Sequence, residues 1–324
     1  MFTKDALTID PSNATREICE VIATQVHDVM RRRGVVVGLS GGVDSSVVAA
    51  LCTRALGSNK VLGIFMPERD SSPESLALGR LVADHLGIET VVEDVTAALE
   101  GLGCYERQIR AVREVFPDYG PGWKCKVTLP SLLESERFSV SRLTVRSPSG
   151  EERTARMPPN AYATLVAATN FKQRARKSME YFHADRLRYA VAGTPNRLEY
   201  DQGFFVKQGD GAADLKPIAH LYKTQVYALA EHLGVPTAIT RRAPTTDTYS
   251  LAQTQEEFYF ALDSARMDLC LYAMNHGVAA SEVARACDLR AEQIERVFRD
   301  IDAKRRATLY LHLPPLPVEP VAEI

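Results

Sequence analysis

Three valines, Val35 to Val37, lead straight into Gly38-Leu39-Ser40-Gly41-Gly42-Val43-Asp44-Ser45-Ser46, and the apolar run Val47-Val48-Ala49-Ala50-Leu51 follows. That order predicts a buried strand, a glycine turn and the start of a helix. Adjacent glycines let the backbone close tightly on a ligand, while first-turn N–H groups and the positive end of the helix dipole attract an anion. The hydroxyls of Ser40, Ser45 and Ser46 add donors for phosphate oxygens. Asp44 does not suit a bare phosphate, since a carboxylate repels it unless a hard cation such as Mg2+ lies between them. The loop therefore implies a phosphate ligand with its metal. It is neither a Walker A loop, which ends in Gly-Lys-Ser/Thr, nor the GxGxxG dinucleotide turn.

The flanking pattern predicts an α/β protein. Residues 13–33 carry Ile18, Val21, Ile22, Val26 and Val29 at helical spacing. Val61 to Met66 and Glu89 to Val95 read as further strands, with a helix over residues 76–86 between them and Gly87 as its C-cap. Leu187 to Ala192 reads as another strand, ending in Gly193-Thr194. Strands separated by helices imply a doubly wound parallel sheet, whose ligands bind at the carboxyl ends of the strands. The rhythm breaks over about 116–160, where several prolines surround the alternating run from Phe138 to Val145 and the turn Ser147-Pro148-Ser149-Gly150; a β-hairpin insertion is expected. From about 255 to 312 the chain reads as helical.

Bulk properties narrow the function. With 324 residues, 45% hydrophobic and 25% charged, the chain has the composition of an ordinary globular protein. A net charge of −2 gives no global attraction for nucleic acid or an anionic membrane. No apolar stretch approaches the roughly 20 residues of a membrane span, and no leader is evident, so a cytoplasmic location is expected. The six cysteines form no CxxC pair and read as reduced, structural thiols.

The glycine loop resembles the SGGxDS loop of the N-type ATP pyrophosphatases. Three further clusters extend the likeness: Asn170 to Arg176, Gly193-Thr194-Pro195-Asn196-Arg197-Leu198-Glu199, and Gly203 through Asp214, continuing to Lys223 and Pro244-Thr245. Together they are similar to the ammonia-dependent NAD synthetases, from about 15 to 100 and about 165 to 247. The resemblance implies one synthetase-like domain over 1–324, with the insertion and a helical C-terminal extension. It implies ATP contacts from Gly38, Ser40, Gly41, Gly42, Asp44, Ser45, Ser46, Thr194, Lys223 and Thr245, and Mg2+ held by Asp44 and Glu199. It implies deamido-NAD contacts from Arg174, Lys207 and Asp214, with Asp210 near the attacking ammonia and Asp44, Lys223 and Asp210 in catalytic roles. Lys172 and Lys177 read as a solvated helix face.

The implied reaction is amide formation in two steps: adenylation of a carboxylate with release of pyrophosphate, then attack by ammonia with AMP leaving. With no glutaminase constellation in the sequence, nitrogen is expected from free ammonia or a separate glutaminase. A homodimer is expected, with the early helix and residues 170–181 at its interface. The family's terminal Thr-x-His-Lys is replaced by Thr308-Leu309-Tyr310-Leu311, with His312 displaced, and its acidic loop by residues 247–258. An amidating enzyme for another small carboxylate therefore stays open, as does an ATP-binding scaffold without catalysis.

Overall fold

The computed structural model describes residues 2–133, 141–243, 248–319 and 321. Helix α1 (Pro11–Thr24) runs through a π-turn (Gln25–Val29) to β1 (Val35–Gly38), and α2 (Val43–Leu56), β2 (Val61–Phe65), α3 (Pro73–Leu86) and β3 (Glu89–Val92) follow. Next come α4 (Thr96–Gly101), α5 (Cys104–Arg113), and the strands β4 (Lys124–Thr128), β5 (Arg142–Arg146) and β6 (Glu152–Arg156). The long α6 (Pro159–Leu187) returns the chain to β7 (Ala190–Ala192), α7 (Arg197–Gln202), α8 (Lys223–His232) and α9 (Thr237–Thr240). Helices α10 (Ser264–Asn275), α11 (Ala280–Cys287) and α12 (Ala291–His312) complete the order.

The four parallel strands lie in the order β3-β2-β1-β7, so the chain reverses direction across the sheet at β1. Side-chain alternation along β1 explains the two covered faces. Val35 and Val37 pack with Ile22 of α1, Val48 of α2 and Leu229 of α8, whereas Val36 turns to the other face with Leu62, Val191 and Ala184 of α6. The doubly wound sheet read from the sequence is present. β7 is shorter than the expected strand, because α6 continues to Leu187 and ends only where Arg188 takes a left-handed conformation.

The expected hairpin is β5 and β6, but it belongs to a three-stranded antiparallel sheet in which β4 pairs with β5. Phe138 to Val140 lie outside the described residues. The inserted sheet buries Val127, Leu143 and Val145 against Ala111 and Val112 of α5 and Leu165 of α6. A third core forms among α10, α11 and α12 around Leu271, Val283, Ile294 and Val297. All six cysteines are free thiols, five of them buried. Among the described residues, no helix is long and apolar enough to cross a membrane.

One buried carboxylate ties the C-terminal helices to the sheet domain. Asp268 of α10 accepts the N–H of Lys223 at 3.1 Å and that of Thr224 at 2.7 Å, capping α8 in place of a local residue. Burial lifts its pKa to about 6 although these N–H groups favour the charged form. An unfolded aspartate releases its proton near ~4, so the folded state holds the proton longer. Stability from this group therefore falls as pH rises from about 4 to about 6, and is level above that. Asp268→Asn should flatten that slope, by about 3 kcal/mol at most, in urea unfolding at pH 4 to 7 compared with the native protein.

Candidate active site

The glycine loop joins β1 to α2, and its shape depends on Gly41. That residue has φ of +75°, and a Cβ there would meet the Ser75 carbonyl oxygen at 2.5 Å. The loop is braced from within: Ser45 Oγ lies 3.1 Å from Ser40 Oγ and donates to the Gly42 carbonyl at 3.1 Å. No side chain caps α2, which starts at Val43 after Gly42. Its first turn thus keeps N–H groups for an anion. Ser46 is a correction to the sequence reading. Its hydroxyl donates to the Gly42 carbonyl at 2.8 Å, it is fully buried, and it does not line the cleft.

Three helix N-termini converge beside this loop. Asp44 lies in the first turn of α2, Glu199 in the first turn of α7 and Lys223 at the first residue of α8. Lys223 Nζ forms an ion pair with Asp44 Oδ2, and Asn196 Nδ2 donates to Asp44 Oδ1 at 3.0 Å. Glu199 accepts the Asn196 N–H at 3.1 Å on one oxygen and Gln255 Nε2 at 2.9 Å on the other. Burial, reinforced by the Asp44 charge, lifts the Glu199 carboxyl to about 7 although Lys223, Asn196 and Gln255 oppose it. Burial also works against the charge on Lys223, but Asp44 and Glu199 outweigh it and hold the ammonium above its ordinary pKa.

This donor set suits Mg2+. Two nearby carboxylates suffer mutual repulsion that a divalent cation relieves, and each oxygen bonded once keeps a further lone pair. Among the described residues no cluster of three or more His, Cys, Asp or Glu is shaped to hold a metal alone. Mg2+ does not need one, because it completes its shell with phosphate oxygens and water.

The cluster opens into a cleft of about 640 Å³, the size of a small-molecule site, at the carboxyl ends of β1, β2 and β7. Gly38, Ser40, Gly41, Gly42, Thr194, Arg174, Lys207 and Asp210 line it with Asp44, Glu199 and Lys223. Asp210 accepts the Val206 N–H at 2.7 Å; burial raises its pKa, tempered by that N–H, Lys177 and Arg176. Lys207 donates to the carbonyls of Tyr310 and Leu313 at 2.7 and 3.0 Å, so it also holds the end of α12. Tyr310 and Leu311 line the cleft, whereas His312 packs against Tyr200 and Phe205. Asp214 stands apart. Its oxygens accept the Val191 N–H at 2.8 Å and the Tyr181 hydroxyl at 3.2 Å, and it is outside the cleft lining. Thr245 lies outside the described residues.

Lys172 and Lys177 correct the reading of α6 as a solvated basic face. Both are buried and both line the cleft. Lys172 reaches Glu68 at 2.8 Å and Asp70 at 3.1 Å, while Lys177 reaches Glu180 at 2.6 Å. The run of basic residues alone reads as a solvated face, and the partners of Lys172, Glu68 and Asp70, come from the distant loop after β2, whereas Lys177 pairs with Glu180 one turn on along α6. Sequence reasoning also missed Asn196, Gln255 and Asp268. Only Asn196 carried a local signal, as the N-cap of a capping box completed by Glu199 three residues on. Lys172→Met should cost about 3–5 kcal/mol in urea unfolding, since it strands the buried Glu68 charge, and adding Glu68→Gln should recover part of the loss.

Known proteins resemble the chain in both sequence and fold. A family model described as NAD synthase matches residues 14–113 and 146–307. The chain is 62% identical over 310 residues to an NH3-dependent NAD+ synthetase of Mesorhizobium japonicum, covering 96% of this chain and 97% of that relative. It is 58% identical over 324 residues to the Rhizobium meliloti NH3-dependent NAD+ synthetase, covering 100% of this chain and 97% of the relative. Among solved structures, the NH3-dependent NAD synthetase of Campylobacter jejuni superposes with a TM-score of 0.62 at 22% identity, over 96% of this chain and 100% of that one. The NMN synthetase of Francisella tularensis gives 0.62 at 21% identity with the same coverage. These two show a shared fold, and with the family model and near-full-length relatives, the chain belongs to the NAD synthase family.

Proposed function

We propose that this chain amidates the nicotinate carboxylate of deamido-NAD with ammonia, at the expense of ATP, to give NAD+, AMP and pyrophosphate. One observation carries the reading: the Asp44, Lys223, Asn196 and Glu199 cluster at the N-terminus of α2 opens into the same cleft as Asp210. The relatives' names supply ammonia and NAD+ as the chemistry to test. Two substrates meeting in one cleft gain proximity that a bimolecular reaction in water lacks.

In the first step a carboxylate oxygen of the acceptor attacks the α-phosphorus of ATP, and the bond to the bridging oxygen breaks to release pyrophosphate. The α2 N–H groups, that of Ser45 among them, and the Ser40 hydroxyl hold the phosphates, Thr194 contributes to the wall beside them, and Lys223 offsets charge on the departing pyrophosphate. Asp44 and Glu199 would hold Mg2+, whose chemistry there is to neutralise further charge on the phosphates. In the second step the ammonia nitrogen attacks the acyl carbon, AMP leaves with its oxygen, and the nitrogen gives up a proton. Asp210, whose raised pKa suits a proton acceptor, orients ammonia and takes that proton. Arg174 and Lys207 neutralise the acceptor's diphosphate from the far wall. Free ammonia, or a separate glutaminase, supplies the nitrogen.

A symmetric homodimer belongs to this reading. Its support is apolar exposure: Val21 and Val29 on the N-terminal helical segment and Phe182 on α6, just past the expected stretch 170–181, are all more than half exposed. Sedimentation should give a dimer, and a concentration-independent monomer would count against it.

The decisive assay supplies Mg-ATP, ammonia and deamido-NAD beside a panel of other small carboxylates. AMP and pyrophosphate should form one for one with NAD+. Formation of ADP and phosphate would refute the adenylate route, and turnover with a different acid only would move the acceptor while leaving the ATP half in place. Asp44→Asn and Glu199→Gln should each lower turnover roughly 10²-fold or more at limiting Mg2+, about 2.7 kcal/mol of transition-state stabilisation, with the melting transition still cooperative.

A further inference from the structure

The matched family pattern stops at residue 113 and resumes at 146, so β4 belongs to a stretch that it passes over. β4 has β5 on one edge, and its other edge is covered by residues 250–257. Cys125 donates its N–H to Ser250 Oγ at 2.9 Å, and the Leu251 N–H returns to the Cys125 carbonyl at 3.1 Å. Gln253, almost fully buried, donates through Nε2 to the Val127 carbonyl. The Leu129 N–H bonds the Glu257 carbonyl at 2.9 Å, and Lys126 lies 3.4 Å from the Glu257 carboxylate. Tyr249 is buried in the apolar cluster that the inserted sheet shares with α5 and α6, and Phe258 packs against it. The segment is thus clipped to the insertion along its whole length.

That segment carries Gln255, which reaches out of it to Glu199 at 2.9 Å. The second Glu199 oxygen is held by its own helix through the Asn196 N–H at 3.1 Å. The carboxylate is therefore suspended between one local donor and one donor from the segment that the insertion braces, 56 residues further along the chain. A lone glutamate on a six-residue helix has rotamer freedom that would blur its distance to Asp44. A donor from an independent, braced segment removes that freedom, which is how groups behind a metal ligand commonly orient it.

We infer that the inserted sheet belongs to the catalytic scaffold: it braces residues 249–258 and, through Gln255 as a positioning residue, sets the Glu199 carboxylate for Mg-ATP. The inference rests on the reading of Glu199 as a ligand for the cation that accompanies ATP. The effect of the insertion on the site is then carried by one hydrogen bond.

The test compares the native protein with Gln255→Leu, which removes the donor at near-constant volume, and with Ser250→Ala/Gln253→Leu, which loosens the brace and keeps Gln255. Calorimetry of ATP binding without acceptor, with and without Mg2+, separates the contributions. Gln255→Leu should weaken Mg2+-dependent ATP binding about tenfold, leave Mg2+-free ATP binding unchanged, and recover turnover at saturating Mg2+. The brace variant should shift binding the same way by a smaller factor. Amide hydrogen exchange over residues 249–258 should speed up in the brace variant without any metal present. Native-like Mg2+ dependence in Gln255→Leu, or an equal loss at every Mg2+ concentration, would overturn the role of Gln255. Faster exchange in the brace variant with unaltered Mg-ATP binding would overturn the role of the sheet. If the double variant does not fold, Ser250→Ala alone carries the exchange and binding measurements. A native protein whose ATP binding ignores Mg2+ altogether would instead sink the reading of Glu199.

Discussion

The part-buried ion pair between Lys223 and Asp44 is the constraint around which the site is organised. A cation at a helix N-terminus is disfavoured by the dipole, and Lys223 occupies the first position of α8. It is tolerated because Asp44 and Glu199 face it and because Asp268 caps the same helix end. Asp44 and Glu199, by contrast, sit in first turns where the dipole favours a negative charge. Opposed preferences at three helix ends are thereby reconciled in one cluster. A buried pair of this kind is weak evidence for stability, since desolvation offsets much of its attraction. Its value lies in fixing where the charges stand relative to the N–H groups of α2.

Topology places that cluster where two ligands can meet. β1 lies between β2 and β7, α2 covers one face and α6 the other, so the strand ends part into a crevice. The nucleotide wall is built from the loop after β1 and the starts of α7 and α8. The opposite wall draws on α6, the turn that holds Asp210 and the end of α12, which Lys207 fastens through two carbonyls. Close approach also matters at this end: Gly203, with φ of +72°, leaves no room for a Cβ because Thr308 of α12 would lie 2.3 Å from it.

The electrostatics of the floor come from α6. Lys177 stands with Glu180 beside Gly38, and its charge is felt by Asp210 and by Lys216, whose pKa burial and Lys177 both lower. Lys172 pairs with Glu68 and Asp70, and the Tyr105 hydroxyl donates to Glu68 at 2.7 Å. Both buried lysines of α6 thus reach the cleft with an acid bonded to them, so neither charge is buried alone.

The sequence alone determined whatever rests on neighbours in the chain. The valine run, the paired glycines and the apolar helix that follows dictate the strand, turn and helix N-terminus, because sterics and burial act over a few residues. The ordered clusters through Glu199 and Lys223 carried the resemblance to the family and several of the cleft-lining residues. Tertiary structure decided the pairings across long separations. It turned Lys172 and Lys177 inward, since acids from another loop or helix turn were waiting for them. It drew Asp214 out of the cleft and onto the Val191 N–H and the Tyr181 hydroxyl, 23 and 33 residues away. It also set Gln255 and Asp268 behind Glu199 and Lys223, 56 and 45 residues apart in the chain. No local pattern encodes such contacts, because a hydrogen bond between distant segments depends on packing that only the folded chain defines.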